Sequence, residues 1–231
     1  MLLILAAASV LVSVTTWDVI GWWAILPFYF ASSFIFLSGT YACSSPKLLG
    51  KRVNGGRTVL GFLLFAPYFL LNTVAFGLYR RLSNEQAFVQ VLPNLYFGRW
   101  LSSEEYQDWT LVVDLACEFT APVSVRSRSG YRSLPVLDAT PPTFEELQLV
   151  VNWIAQSVVD GKVYVHCALG HGRSACVVIA YLLNIGVVTS VKEGVLHLTA
   201  LRPGVRLHPS QRQILSRLVQ ETSATRKHHV D

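Results

Sequence analysis

The sequence predicts an α/β domain with a central, mostly parallel sheet flanked by helices, preceded by two or three transmembrane helices. Three observations lead there. Long uncharged apolar runs fill the first third of the chain. Strand-like and helix-like segments then alternate, and a glycine-bearing loop joins a buried strand to an apolar helix.

The apolar region comes first in the chain. Hydrophobic residues make up 52% of the sequence and charged residues 14%, against roughly 25% charged in an ordinary soluble domain. The deficit is local. Up to Gln90 there are six basic residues (Lys47, Lys51, Arg52, Arg57, Arg80 and Arg81) and two acids, Asp18 and Glu85; thereafter thirteen basic residues face twelve acidic ones. The basic excess thus belongs to the apolar region, where it suits anionic lipid headgroups. The folded domain shows no basic face of the kind that binds nucleic acid. Residues 1–81 are expected to form a membrane anchor with hydrophobic spans at about 1–16, 19–41 and 58–79. The second and third are long enough to cross a hydrocarbon core of about 30 Å at about 1.5 Å per residue. The first is short and is separated from the second only by Trp17-Asp18, so a third span and a re-entrant segment both stand. The anchor implies a multi-pass integral membrane protein. The basic flanks favour the 46–57 loop on the cytoplasmic side. A reactive thiol favours placing the domain there instead, and the domain is assigned to that side on this ground.

A linker is expected over 82–90, the folded domain over 91–221 and a polar tail over 222–231. Strands are predicted at 94–98 and 110–116, a short extended piece at 134–137 and a continuous buried strand at 162–166. Ser102-Ser-Glu-Glu105 and Thr143-Phe-Glu-Glu146 read as capping boxes. The first would open a short helix and the second a helix to about Val159, stopped by Gly161. Further helices fit 174–183, 191–201 and 209–220.

The chemistry concentrates in Val165-His-Cys-Ala-Leu-Gly-His-Gly-Arg-Ser-Ala175, where five residues separate Cys167 from Arg173. The strand fixes the cysteine, and the helix offers unsatisfied N–H groups and the positive end of its dipole. Gly170 and Gly172 let the backbone curl so that successive N–H groups of Ala168, Leu169, Gly170, His171 and Gly172 form an anion nest. Such a nest favours the nucleophilic thiolate. The planar guanidinium of Arg173 suits two oxygens of one phosphate. The four cysteines show neither metal-ligand nor disulfide spacing.

His166-Cys167, five residues and Arg173-Ser174 together resemble the active-site loop of the protein tyrosine phosphatase superfamily, dual-specificity branch. The resemblance runs from about Val91 to Leu218. Leu92-Pro-Asn-Leu-Tyr-Phe-Gly-Arg99 is similar to that family's opening strand, and Arg202-Pro-Gly-Val-Arg206 to its closing elements. Together they resemble compact phosphatases of the mitochondrial phosphatidylglycerophosphate phosphatase type. The resemblance implies a dual-specificity-phosphatase-like fold, a phosphate-monoester substrate, a cysteinyl-phosphate intermediate, no metal and no cofactor. It makes Cys167 the nucleophile, Arg173 the phosphate clamp, Ser174 the hydroxyl that helps sulfur leave, and Asp138, 29 residues before Cys167, the general acid. His166 would orient the loop; a satisfied core histidine is the other reading. His171 and Ala168 stand where related lipid phosphatases often carry cations, so the pocket is less basic than one for polyphosphorylated inositol. Arg126, Arg128 and Arg132 either supply that charge or form an exposed basic turn. Three functions follow: a phosphatase of phospholipid headgroups held at the bilayer by its spans, a membrane-bound phosphatase of phosphoproteins, and a binding module without turnover. The last is disfavoured because thiol, arginine, hydroxyl and acid are all present.

Overall fold

The computed structural model describes residues 2–228 of the 231-residue chain. The chain divides into two compact units, one of Met1–Arg52 with Arg57–Leu82 and one of Val53–Gly56 with Ser83–Asp231.

The first unit is helical. Helix α1 spans Leu2–Ile20, a 3-10 turn follows at Gly21–Ala24, and α2 spans Ile25–Ala42. The break thus falls after Ile20 and not at Trp17-Asp18, where the sequence placed it. Pro27 lies in the first turn of α2, where no backbone N–H is needed. Helix α3, Val59–Leu82, carries Pro67 inside and bends at Phe65, whose φ of −113° and ψ of 16° leave the helical region. Proline cannot donate to the carbonyl four residues back. The Tyr29 hydroxyl of α2 supplies the missing donor to Leu63 O. By length and composition Gly21–Ala42 and Val59–Leu82 are each sufficient to cross a membrane, and the apolar run Leu2–Thr15 is shorter.

The second unit is built on a five-stranded sheet in the order β1-β2-β5-β3-β4. Its strands are β1 Phe88–Leu92, β2 Leu95–Gly98, β3 Leu111–Ala116, β4 Tyr131–Val136 and β5 Val163–His166. Only β1 and β2 pair antiparallel; the other pairings are parallel. Strand β1 begins inside the stretch expected as a linker. Its Phe88 packs edge-on against Trp109 and Tyr164. Helices α4 Val123–Arg126, α5 Phe144–Ser157, α6 Arg173–Asn184, α7 Val191–Leu201 and α8 Pro209–His228 complete it. Helix α8 carries the chain into the expected polar tail as far as His228, and residues 229–231 lie outside the described residues.

Position in the sheet explains burial. All four residues of the central β5 are buried, as are those of α6 from Arg173 to Leu183. Each fully buried Val, Leu or Ile there contributes about 1.5–3 kcal/mol. The capping box of α5 forms as expected: Thr143 Oγ1 accepts from Glu146 N at 3.2 Å and Glu146 Oε2 from Thr143 N at 2.9 Å.

Two local expectations fail. Only half of the Ser102 box forms: Glu105 Oε2 accepts from Ser102 N and Oγ at 2.9 Å, but Glu105 N donates to the Ser102 carbonyl at 3.0 Å and not to its hydroxyl, and a turn results. Glu105 is drawn instead onto the nearly buried Arg99, at 2.6 Å, and the chain enters β3 six residues later. Gly161 follows α5 without a left-handed φ. What requires glycine there is space: a Cβ would stand 2.1 Å from Thr110 Oγ1.

Candidate active site

Register places the site. At the carboxyl end of β5, His166 lies opposite Gly98 of β2 and Asp114 of β3. Loops leaving that edge of a parallel sheet converge, which is where open α/β sheets place ligands. The loop from Cys167 to Gly172 leaves β5 and runs into α6. Gly170 adopts a φ of 78°, and a Cβ on it would meet the backbone carbon of Gly98 at 2.4 Å. Only glycine tolerates both conditions. The loop's carbonyls are engaged from outside: Ala168 O accepts from Trp100 N at 2.9 Å, Leu169 O from Arg202 Nη2 at 2.9 Å, and His171 O from Arg206 N at 3.0 Å. Gly170 N donates inward to Cys167 Sγ at 3.3 Å. Ser174 Oγ lies 3.5 Å from the same sulfur.

His166 is fully buried. Its Nδ1 donates to Cys167 O at 3.3 Å and its Nε2 lies 3.9 Å from Asp114 Oδ1. The Nδ1 bond ties the buried ring to the backbone at the start of the loop.

Arg173 is held by a residue the sequence did not single out. Glu118, buried beyond the end of β3, takes the guanidinium in a two-pronged pair, Nη1 to Oε2 at 2.8 Å and Nη2 to Oε1 at 2.5 Å. Nη1 also donates to Val136 O at 2.9 Å. Burial pushes the Glu118 carboxyl up, but Arg173 outweighs it and holds the group below the usual carboxylate range. Burial likewise opposes the charge on Arg173, and Glu118 raises its pKa further. The buried Nε of Arg173 has no acceptor among the described residues. Asp138 Oδ1 stands 3.2 Å from Arg173 Nη2, and its side chain is 71% exposed. The sequence-predicted Cys167, Arg173, Ser174, Asp138 and His166 therefore meet at one end of the sheet.

Two of the three arginines just before the Asp138 loop are engaged elsewhere. Arg132 stacks over the Trp153 ring at 4.9 Å, and Arg128 bonds Gln107 O at 3.3 Å. Cys176 faces the core, where burial pushes its thiol up to about 12, too high for a nucleophile at neutral pH. Among the described residues no three His, Cys, Asp or Glu side chains are grouped to hold a metal ion. Besides Glu118, the sequence left unnoticed Gln211, which is buried at the start of α8 and donates to Thr140 O in the Asp138 loop at 3.0 Å. The available signal for Glu118 was its place just past a predicted strand, at the edge where β5 delivers Cys167.

The family model described as dual specificity phosphatase, catalytic domain, matches residues 95–220, more than half of the chain. Phosphatidylglycerophosphate phosphatase PTPMT2 of Arabidopsis thaliana is 41% identical over 75 residues, 32% of each protein. Human dual specificity protein phosphatase 2 is 31% identical over 108 residues, 42% of this chain and 32% of that protein. The chain thus spans about a third of the length of these curated relatives. The crystal structure of PTPMT1 in complex with PI(5)P superposes with a TM-score of 0.54 at 21% identity, over 61% of this chain and 99% of that one, and shows the shared fold. The chain belongs to the dual-specificity phosphatase family.

Proposed function

We propose that this dual-specificity phosphatase hydrolyses phosphate monoesters through a cysteinyl-phosphate, that its apolar helices hold it in a membrane, and that its substrate is a phospholipid headgroup. The observation that carries the proposal is the convergence on Cys167: a loop amide and a hydroxyl reach its sulfur, and Arg173 is presented beside it with a buried Nε left to donate. Cys167 Sγ attacks phosphorus and the bond to the headgroup oxygen breaks. Asp138 gives that oxygen its proton, and Arg173 with the amides of Ala168 to Gly172 holds the equatorial oxygens. Water then attacks the phosphocysteine and yields its proton to Asp138. The S–P bond breaks, and the Ser174 hydroxyl eases departure of the thiolate.

The lipid reading is supported by the 41% identity to a phosphatidylglycerophosphate phosphatase and by the exposed apolar side chains of the first unit, among them Ile4, Trp22, Leu60 and Val59, each more than 70% exposed. A single phosphate suits a loop in which Arg173 faces Cys167 while Ala168 is neutral and His171 is turned to Glu85. The four cysteines are free, as in a reducing compartment, which favours a domain on the cytoplasmic side. Identity to the human dual specificity protein phosphatase 2 favours the second reading, a membrane-bound phosphoprotein phosphatase.

Phosphate release from the full-length protein in vesicles separates the two, with phosphatidylglycerophosphate set against phosphotyrosine and phosphothreonine peptides. At least about tenfold higher kcat/KM on the lipid is expected, the size of discrimination a few contacts supply. A preference for peptides selects the second reading. Cys167→Ser should abolish turnover on all of them, and persistence of turnover in that variant removes Cys167 as nucleophile.

A further inference from the structure

Glu85 lies ten residues before the first residue matched by the family model, in the short segment between α3 and β1. It nevertheless touches the loop that surrounds Cys167. Its Oε2 lies 2.6 Å from His171 Nε2 and 2.9 Å from Arg202 Nη2, and its Oε1 accepts from Gly204 N at 3.1 Å. The buried Arg202 extends the contact, with Nη1 donating to Gln86 O at 2.6 Å and Nη2 to Leu169 O at 2.9 Å. Glu85 thereby touches the loop directly at His171, and Glu85 and Gln86 both reach Leu169 through Arg202. Gly204 leaves the space for this: a Cβ there would stand 2.4 Å from both Glu85 Oε1 and His171 Nε2.

A carboxylate beside an anion-binding loop is on its face a handicap, since it repels a phosphate dianion. Here its charge faces the buried guanidinium of Arg202 at ion-pair distance, and its second oxygen is held by a backbone amide. It is therefore suited to holding the loop and not to meeting substrate. The loop needs such a holder because it has no regular structure of its own and its left-handed Gly170 has to be imposed by its surroundings.

Resting on the reading of this loop as the phosphoryl-transfer site, we propose that Glu85 is a positioning residue for it, acting through His171 and Arg202. The family's catalytic region would in this chain be completed by a carboxylate from the segment that follows the last apolar helix.

The test is made on the full-length protein with p-nitrophenyl phosphate as substrate and orthovanadate as an oxyanion inhibitor. Glu85→Gln should lower kcat/KM about tenfold, part of the roughly 10²-fold that an ångström of misplacement costs, and should weaken orthovanadate in the same proportion. Gly204→Ala, which wedges flexible side-chain ends apart, should reproduce both losses; it decides the matter should Glu85→Gln not fold. Unchanged kcat/KM and orthovanadate affinity per folded molecule, whatever the change in Tm, would overturn the proposal. In the double variant Glu85→Gln with His171→Asn the losses should combine to less than their product, and full multiplication would overturn the link through His171. An inactive wild-type protein would instead remove the underlying reading of the loop, so the two failures are distinguishable.

Discussion

Two loops meet at the carboxyl edge of the sheet, and they are built in opposite ways. The loop from Cys167 to Gly172 is buried at Cys167, Ala168 and Gly170 and half-buried elsewhere, Cys167 being 3% exposed, and its carbonyls are tied to Trp100, Arg202 and Arg206. The loop around Asp138 holds its key side chain 71% exposed and is tied at Ala139 and Thr140 by Ser210 and Gln211. Each contains a left-handed residue. In the first it is a glycine that nothing larger can replace, and in the second it is Ala139, with a φ of 59°. On the proposed mechanism the difference matches the tasks. An anion cradle works by being formed before substrate arrives, whereas an acid at Asp138 would have to move off Arg173 when phosphate oxygens take that guanidinium.

The sharpest way to break the contrast is to loosen the rigid loop from behind. Glu118→Gln leaves the buried Arg173 without its carboxylate, and breaking a buried pair costs about 3–5 kcal/mol. A large fall in Tm is expected, together with a loss of turnover beyond that caused by unfolding. The pH dependence has a definite sign. Because Arg173 holds Glu118 below its ordinary 4.5, the pair stabilises the fold fully above that pH and less as pH falls through the lowered value. Glu105, held at about 2 by Arg99 and Ser102 against the pull of burial, acts in the same direction. Wild type should therefore lose stability as pH drops below about 4.5, and Glu118→Gln should lose less over that interval. Parallel curves for the two proteins would show that Glu118 does not carry this dependence.

The two loops also differed in how far the sequence revealed them. Cys167, Arg173 and Ser174 were legible because their chemistry lies within eight consecutive residues between a strand and a helix. Asp138 was singled out by the resemblance and by its place between a strand-like piece and a helix start, 29 residues before Cys167. Glu118, Gln211 and Glu85 were not, because each acts only through a partner far along the chain: 55 residues separate Glu118 from Arg173 and 86 separate Glu85 from His171. Their roles depend on the strand order β2-β5-β3 and on the packing of α8, which no local spacing encodes. The same limit explains β1 and Gly161. The first is a strand because β2 lies beside it, and the second is glycine because of Thr110.

A second, smaller effect tests the exposed loop by its chemistry. Asp138→Asn should cost about 10²–10⁴ in rate on an alkyl phosphate, the usual range for a lost general acid. It should cost much less on p-nitrophenyl phosphate, whose leaving group departs unprotonated. Equal losses on both substrates, with Tm unchanged, would remove Asp138 as the acid and make Glu145 or Glu146 the next candidate.

The smallest expected effect comes from Ala139, and it measures how tightly the acid loop is held. An L residue in the left-handed region carries about 1–2 kcal/mol of strain that glycine does not. Glycine also widens the unfolded ensemble, which takes back about 0.4–1 kcal/mol. Ala139→Gly should therefore stabilise by about 0–1.6 kcal/mol, each kcal/mol raising Tm by about 2–4 °C for a protein of this size. The alkyl phosphate rate should fall a few-fold, because Asp138 now rides on a freer backbone, while the p-nitrophenyl phosphate rate should stay near wild type. The bonds from Ser210 Oγ to Ala139 O and from Gln211 Nε2 to Thr140 O, at 3.3 and 3.0 Å, remain available to the variant. They limit how far the loop can wander, which is why the loss is a few-fold and not the full effect of removing the acid. A fall in Tm would mean that Ala139 is not strained, and that the tie to α8 alone shapes the loop. An unchanged ratio of the two rates would mean that backbone freedom at this position does not reach Asp138.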